Sequence, residues 1–297
     1  MAAGAGMKNV VVTGGSGKAG RAVVRGLVDH GYRVLNVDVA PPPERICPFL
    51  KVDLEDFGQA VDALKVGAGI VERRRPFTMA DAVIHLAAIP DQGSAPEAVT
   101  YRTNMLTAHN VFSAATLLGL PRVVWASSET VHGVPYTRIP PDFAPVTEAH
   151  LLRAETGYAL TKVLGEEEIR QMARWNPGTS FVALRLCHVN DTEDYRAFPA
   201  LARDPHDRKA SLWAYVDTRD VAQACRLALE ADVKGADSFL ISAADTAKEI
   251  PAKDLLAEIY PGVKITRAIG AHETLFDHGK AKRLLGYTPK HSWRDHA

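Results

Sequence analysis

The chain has 297 residues, of which 46% are hydrophobic and 24% are charged, as in an ordinary globular protein. Thirty-five basic residues balance thirty-five acidic ones, so neither nucleic acid nor an anionic membrane surface is indicated as a partner, and the basic run at 73–75 is interpreted as a solvated face. No apolar run reaches the length of a membrane span, no signal-peptide core is present, and neither a disulfide framework nor metal-ligand spacing is found, so a cytoplasmic location is predicted.

Strand-like apolar runs alternate with amphipathic helical stretches along most of the chain. This order predicts strands at 9–13, 33–38, 49–52, 81–86, 122–127 and 180–186, and helices at 18–30, 55–64, 96–118 and 155–175. After residue 186 the alternation loosens, and no clear period is visible over 190–215. Helices are predicted at 220–230, 253–259 and 272–285, a strand at 238–242, and a tail for the closing HSWRDHA.

The alternation predicts an α/β fold, a Rossmann-type doubly wound parallel sheet covered by helices on both faces. We expect the Rossmann-type domain to cover 7–186. A smaller portion over 187–297 is expected to be interleaved with this core and to lie over the carboxyl ends of the strands.

The first strand runs into a glycine-rich stretch, VVVTGGSGKAG, that opens the first helix. In a dinucleotide-binding turn Gly14 permits the tight bend, Gly17 lets the backbone approach a pyrophosphate, and Gly20 lets the helix pack on the strand. The phosphates would lie on unpaired N–H groups at the helix start. The glycines alone also fit a turn that merely joins a strand to a helix.

Asp38, at the end of the second predicted strand, favours the dinucleotide interpretation. A carboxylate there can accept hydrogen bonds from both ribose hydroxyls, and it repels a 2′-phosphate. NAD is therefore favoured over NADP, although the nearby cations Lys18 and Arg45 weaken that preference.

A tyrosine and a lysine, Tyr158 and Lys162, lie one helical turn apart in the stretch YALTK, so both side chains are on one face of the helix. A tyrosine of ordinary pKa near 10 is a poor base, and a neighbouring ammonium together with the positive nicotinamide ring is expected to lower that pKa. Ser127 and Ser128 end the preceding strand. A hydroxyl there can bind the substrate oxygen while the tyrosine handles its proton.

These motifs together resemble the extended short-chain dehydrogenases/reductases, and within them the NAD-dependent epimerase/dehydratase family. The resemblance covers about residues 8–230, and its motifs occur in the family's order: TGGSGKAG, Asp38, VDL at 52–54, HLAA at 85–88, Asn104, SSETVHG at 127–133, YALTK and LRLCHV.

The resemblance implies a set of cofactor-binding residues in addition to the glycines and Asp38. Lys18 and Ala19 belong to the pyrophosphate loop, and Asp53 and Leu54 flank the adenine. The ribose and nicotinamide side is lined by Leu86, Ala87 and Ala88. Asn104 supports the helix behind the active site, and Lys162 bonds the nicotinamide ribose. Ser128, Tyr158 and Lys162 match the family's catalytic residues, with Ser127 behind them. The expected domain over 7–186 is therefore an NAD-binding Rossmann domain that also carries the catalytic residues, and the portion over 187–297 is expected to bind the substrate.

The chain departs from the family pattern at two places. It has Val131-His132-Gly133 where the family has VYG, and Arg185-Leu186-Cys187-His188 before the substrate segment. His188 is therefore predicted either to face the substrate or to be structural, whereas Cys187 is interpreted as a small buried hydrophobe.

The segment between His188 and Val216 is short for a nucleotide-sugar site and contains five carboxylates. These would disfavour a diphosphate unless Arg196, Arg203, Arg208 and Lys209 point inward. We therefore expect an NAD-dependent oxidoreductase that acts on a hydroxyl or keto group of a small sugar-like or uronic-acid-like substrate. A nucleotide-sugar epimerase or dehydratase with tightly bound NAD is the nearest alternative, and a non-catalytic dinucleotide sensor is a third. The long helices 96–118 and 155–175 are expected to pair in a homodimer, as in related proteins.

Overall fold

The computed structural model describes residues 9–65, 79–91 and 93–296, so the start of the predicted domain at residue 7 and the basic run at 73–75 lie outside the described residues. The strands are β1 (Asn9–Thr13), β2 (Arg33–Asp38), β3 (Phe49–Lys51), β4 (Ala82–His85), β5 (Arg122–Ser128), β6 (Phe143–Ala144), β7 (Ser180–Leu186), β8 (Val189–Asn190), β9 (Val216–Asp217), β10 (Ala236–Ile241) and β11 (Lys264–Ile265). The helices are α1 (Lys18–Asp29), α2 (Phe57–Lys65), α3 (Glu97–Leu117), α4 (Gly157–Trp175), α5 (Phe198–Leu201), α6 (Thr218–Glu230), α7 (Ala252–Ile259) and α8 (Gly279–Leu285).

Seven strands form one sheet in the order β3-β2-β1-β4-β5-β7-β10, and every neighbouring pair is parallel. The predicted Rossmann-type fold class is therefore confirmed. Chain order reverses between β1 and β4, and in such a sheet ligands bind outside the carboxyl ends of the strands at this switch point. The end of β5, with Ser128, lies beside it.

The sheet is buried on both faces because successive side chains of a strand point to opposite sides. Along β1, Val10 and Val12 belong to one apolar core, and Val11 belongs to the other. Helices α1 and α6 cover the first face, and α2, α3 and α4 cover the second. This two-sided burial explains the nearly continuous apolar strands of the sequence.

The predicted helix over 272–285 is wrong in its first half, because only Gly279–Leu285 is helical. Leu275 and Asp277 instead make backbone hydrogen bonds with Val146, at 2.8 Å each. The Asp277 carboxylate then accepts the N–H of Gly279 at 2.7 Å, just at the helix start. Tertiary pairing therefore outweighs the local helical pattern in this segment.

The closing segment packs against the rest of the protein, so its interpretation as a tail is wrong. Trp293 is buried, and its indole N–H donates to the carbonyl of Thr246 at 3.0 Å. The N–H groups of Lys290 and His291 donate to the fully buried carboxylate of Asp220.

The portion after residue 186 contributes β10 and α6 to the central layers and also builds a separate aromatic cluster around Tyr195, Phe198, Tyr215 and Trp293. The domain division at residue 186 stays a prediction. Within the described ranges no helix is long and apolar enough to cross a membrane. The same ranges contain no group of three or more His, Cys, Asp or Glu side chains that could hold a metal ion.

Candidate active site

The glycine loop leaves the start of α1 open for a ligand. Gly17 is the N-cap residue, and no side chain caps the helix. A Cβ on Gly20 would lie 2.0 Å from the carbonyl oxygen of Gly14, and a Cβ on Gly14, where φ is +69°, would lie 2.6 Å from the nitrogen of Ala87. Only glycine fits these two positions, and the uncapped N–H groups suit the pyrophosphate of a dinucleotide.

Asp38 is held at the end of β2 by the backbone. Its two carboxylate oxygens accept the N–H groups of Ser16 at 3.0 Å and Val39 at 2.7 Å. These contacts leave acceptor positions free for ribose hydroxyls. Arg45, one of the two cations expected to weaken the preference for NAD, is exposed at the surface. The loop and Asp38 together therefore fit an NAD molecule.

The other residues of the predicted cofactor site lie around the same edge of the sheet. Leu86, Ala87 and Ala88 directly follow β4 and are partly exposed. The buried Asn104 of α3 accepts the N–H of Ile89 at 2.8 Å and donates to its carbonyl at 3.0 Å, so it fixes the end of that loop. After β3, the carboxylate of Asp53 accepts the N–H of Glu55 at 2.9 Å, and the neighbouring side chain of Leu54 is buried. Ala19 lies in the first turn of α1.

Lys18 connects the cofactor loop to the substrate segment, a contact that the sequence did not suggest. Its ammonium lies 2.6 Å from the carboxylate of Asp194. That carboxylate also accepts the N–H of Asp191 at 2.8 Å. Both partners of the ion pair are partly exposed, so its contribution to stability is small.

Ser128 ends β5 and is nearly buried. Its side-chain oxygen accepts the N–H of Thr130 at 3.2 Å, which caps the short 3-10 helix Glu129–Val131. The hydroxyl proton remains available for a substrate oxygen or for Tyr158. The strand therefore presents a fixed hydroxyl at the carboxyl edge of the sheet.

Tyr158 and Lys162 lie in the first two turns of α4. The helix start is fixed by Thr156, whose side chain accepts the N–H of Ala159 at 3.0 Å, and by Glu97 of α3, which accepts the N–H of Gly157 at 2.8 Å. Lys162 is buried and donates to the carbonyl of Ala126 in β5 at 2.8 Å. Its ammonium is 5.5 Å from the centre of the Tyr158 ring.

Burial has the largest effect on the pKa values of Tyr158 and Lys162. It raises the pKa of Tyr158 to about 12, against the lowering effect of a hydrogen bond with Ser128. Burial also lowers the pKa of Lys162 to about 7, against the effect of the Glu166 carboxylate. Without NAD, desolvation and nearby carboxylates therefore raise the pKa of Tyr158, and its lowering by Lys162 together with a nicotinamide ring stays a prediction.

The buried ammonium predicts a pH-dependent effect of Lys162→Met on stability. Below pH 7 the lysine is protonated in both the folded and the unfolded chain, so the full cost of burying its charge is present. As the pH rises from about 7 toward the ordinary value of 10.5, the folded chain releases the proton first and the cost fades. The melting temperature of the variant minus that of the wild type should therefore fall between about pH 6 and about pH 9.

Differential scanning calorimetry at several pH values measures this trend, which is independent of the hydrogen bond lost to Ala126. Replacement of Lys282, an exposed lysine of α8, is the matched control and should show no such trend. A difference that stays constant or grows with pH would contradict the buried charge.

Three side chains on the substrate side follow β5 and β7. His188 keeps much of its surface open to solvent, yet surrounding protein and the charge of Arg208 lower its pKa to about 4. Burial raises the pKa of Glu129 to about 8, although Cys187 and Arg208 act against it, and one carboxyl oxygen has no hydrogen-bond partner. Burial raises the pKa of the Cys187 thiol, so this residue is not poised as a nucleophile.

Arg208 completes this side of the site and was named from the sequence only as a conditional candidate. Its guanidinium donates to the Asn190 side chain at 3.2 Å and lies 4.8 Å from the centre of the Phe198 ring. Its Nη1 is buried without a hydrogen-bond partner. The backbone adopts φ = +60°, which is unusual for a non-glycine residue. No sequence pattern predicts this left-handed conformation.

A cavity of about 300 Å³ adjoins the glycine loop but is separate from this catalytic group. Its lining includes Lys18, Arg25, Asn36 and Cys47, and none of Ser128, Tyr158 or Lys162. The cavity walls carry mostly paired charges, such as Arg25 with Glu44 at 2.8 Å, whereas Ser128, Tyr158 and Lys162 lie together outside it.

Comparisons with known proteins agree with the family resemblance of the sequence motifs. The model of the NAD dependent epimerase/dehydratase family matches residues 10–242. UDP-glucose 4-epimerase 3 of Oryza sativa subsp. japonica is 29% identical over 215 residues, which are 70% of this chain and 55% of the rice protein. The chain spans about half the length of the UDP-glucose 4-epimerases it matches.

Two solved structures show the same fold. UDP-glucose 4-epimerase from Brucella ovis in complex with NAD has a TM-score of 0.68 and 23% identity, with 96% of this chain and 94% of that chain covered. Uronate dehydrogenase from Agrobacterium tumefaciens has a TM-score of 0.66 and 19% identity, with 97% and 86% covered.

Proposed function

The chain belongs to the NAD dependent epimerase/dehydratase family, and from this premise we propose that it is an NAD-dependent oxidoreductase acting on a small, acidic, sugar-like substrate. The predicted reaction is hydride transfer between NAD and a hydroxyl or keto carbon of a compound such as a uronic acid. The uncapped start of α1 and the fixed carboxylate of Asp38 support NAD as the cofactor.

The observation that supports the choice of substrate is the position of Arg208, whose guanidinium lies near His188 and Glu129. Of the four basic side chains that a diphosphate would need, Arg196 and Lys209 are exposed, and Arg203 pairs at the surface with Glu249. Of these four, Arg208 is the one whose charge shifts the pKa values of both His188 and Glu129, and Lys18 of the glycine loop also lowers the pKa of His188. A single guanidinium with a free donor suits one carboxylate better than two phosphates.

The mechanism assigns one task to each residue of the catalytic group. Ser128 would donate a hydrogen bond to the substrate oxygen, and Tyr158 would remove the hydroxyl proton during oxidation. Lys162, held on the carbonyl of Ala126, would stabilise the resulting phenolate. Bound NAD would supply the hydride acceptor and a positive ring, the charge that the protein alone lacks for lowering the pKa of Tyr158. In reduction each proton transfer runs in the opposite direction.

A nucleotide-sugar epimerase is the second candidate, because the curated relatives include UDP-glucose 4-epimerases. The same catalytic group would then oxidise the substrate and reduce it again on the opposite face. The two candidates differ in their balance of NADH, because an epimerase regenerates its cofactor.

The test is to mix the protein with NAD and either a free uronic acid or UDP-glucose, and to follow the absorbance of NADH together with the products. We expect net NADH with the free acid, equal in amount to the acid oxidised. Isomerised UDP-glucose without net NADH would overturn the proposal in favour of the epimerase. Tight NAD binding without turnover of any substrate would favour a dinucleotide sensor.

We further propose a homodimer that pairs α3 and α4. These helices expose large apolar side chains, among them Tyr101, Leu106 and Leu160, each with 39% of its surface accessible. We also propose a substrate-binding portion after residue 186 and a cytoplasmic location, which the free cysteines support.

A further inference from the structure

A buried ion pair lies behind the catalytic group and has no task in the mechanism above. Glu166 of α4 accepts two hydrogen bonds from Arg185 of β7, from Nε at 2.9 Å and from Nη2 at 2.6 Å. It accepts two more from the hydroxyls of Ser127 at 2.6 Å and Ser238 at 3.0 Å. Both carboxylate oxygens therefore have two donors each, and both charged side chains are almost completely buried.

The network connects the elements that carry the catalytic residues. Glu166 lies one turn after Lys162 on α4, and Ser127 directly precedes Ser128 on β5. Arg185 is the register partner of Ser127, and Ser238 belongs to β10. Through these hydrogen bonds Glu166 connects α4 with three strands of the sheet, β5, β7 and β10.

The titratable groups around Lys162 and the ion pair lie on several elements, and the two histidines among them are neutral. Burial lowers the pKa of His85 on β4 to about 3 and that of His132, in the loop after β5, to about 2, so both rings are neutral near pH 7. The neutral ring of His132 accepts a hydrogen bond from Arg185 at 3.0 Å. Burial raises the pKa of Glu148, which lies beside Arg185. Glu166, whose charge raises the pKa of Lys162, and its ion-pair partner Arg185 are therefore the permanent charges of this network.

A buried ion pair is poor evidence for stability, because apolar residues of similar volume often stabilise a fold as well or better. A role in the site accounts for its position better. We propose that Glu166 and Arg185 are positioning residues that hold Tyr158 and Lys162 against Ser128 and set the charge of Lys162. This inference rests on the proposed function for its effect on turnover.

Single neutral variants separate an electrostatic role from a merely structural one. Glu166→Gln removes a negative charge near Lys162 and should lower the pKa of that lysine by about one pH unit, whereas Arg185→Gln removes a positive charge and should raise it. NMR titration of lysine labelled with ¹³C at Cε reads this pKa without any substrate, and the Lys162→Met spectrum assigns the signal. A loss of packing alone predicts no such opposite shifts.

Turnover gives the second readout. In Glu166→Gln we expect kcat to fall at least about tenfold, with KM and the Kd for NAD changed less than about threefold, because the glycine loop, Asp38 and Arg208 are untouched while the proton-transfer geometry is disturbed. The matched control is Asp220→Asn, which alters another fully buried, hydrogen-bonded carboxylate. It should leave both the lysine pKa and kcat unchanged.

If a single variant does not fold because one charge remains buried and unpaired, Glu166→Gln/Arg185→Gln carries the test, since it leaves no unpaired ion. Lys162 should then titrate near its wild-type value while kcat still falls. Shifts in the same direction in the two single variants, or wild-type kcat in the double variant, would overturn the proposal. Shifts as expected without turnover in the wild type would instead refute only the proposed reaction.

Discussion

Replacing Tyr158 with phenylalanine should reduce kcat for oxidation of the acidic substrate by about 10²- to 10⁴-fold, the usual contribution of a positioned acid or base. The variant keeps the ring and loses only the hydroxyl that exchanges the proton. The N–H groups of α1 and the carboxylate of Asp38 are unaffected, so the Kd for NAD should change less than about threefold. Steady-state NADH formation measures kcat, and isothermal titration calorimetry with NAD measures the Kd.

Tyr101→Phe is the matched control, because Tyr101 is a partly exposed tyrosine on α3 rather than part of the catalytic group. It should keep wild-type kcat. If Tyr158→Phe also keeps wild-type kcat, another group removes the proton, and the assignment of the base is wrong. A large loss of NAD affinity in Tyr158→Phe would show instead that the hydroxyl serves binding.

Replacing Arg208 with methionine should raise KM for the acidic substrate about a hundredfold. The expected loss corresponds to about 2–3 kcal/mol for a charge-assisted, bidentate contact. Activity with a neutral sugar of the same stereochemistry should change less than about threefold, since it has no carboxylate to lose. Arg208→Lys should recover only part of the affinity, because an ammonium cannot form the two parallel hydrogen bonds.

The comparison of acidic and neutral substrates in one variant distinguishes recognition from damage. Arg196→Met removes an exposed arginine of the same segment and should behave as the wild type. Equal losses with the acidic and the neutral substrate in Arg208→Met would mean that Arg208 supports the fold of the segment. No loss with either would remove the reason for preferring an acidic substrate.

Much of the scaffold could be predicted because its signals are local. The alternating strands and helices, the glycines whose Cβ atoms would meet backbone, and the i, i+4 spacing of Tyr158 and Lys162 are all readable in short stretches. They predict the helix that follows the glycine loop and the helix that carries Tyr158 and Lys162, and the structure contains both. The helix predicted over 272–285 failed because pairing with the distant Val146 overrides local propensity.

The features that could not be predicted depend on contacts between distant residues. Arg208 reaches the site through a left-handed backbone conformation that its neighbours in sequence do not signal. The pKa of Tyr158 is raised because its side chain is buried, and the spacing of residues in the sequence does not reveal burial. A weak signal did exist for the ion pair, because Arg185 interrupts the apolar strand FVALRL and Glu166 continues the face of Lys162. A charge in a buried strand requires a partner.

The proposed function requires the hydroxyl of Ser128, the phenol of Tyr158 and the guanidinium of Arg208 to bind one substrate molecule beside NAD. A crystal structure of the Tyr158→Phe variant with NAD and a free uronic acid tests this arrangement. We expect the reacting oxygen within about 3.5 Å of the Ser128 hydroxyl and beside the edge of the substituted phenyl ring, with the carboxylate on Arg208. A nicotinamide ring far from that phenyl ring, or a uronate carboxylate bound away from Arg208, would contradict it.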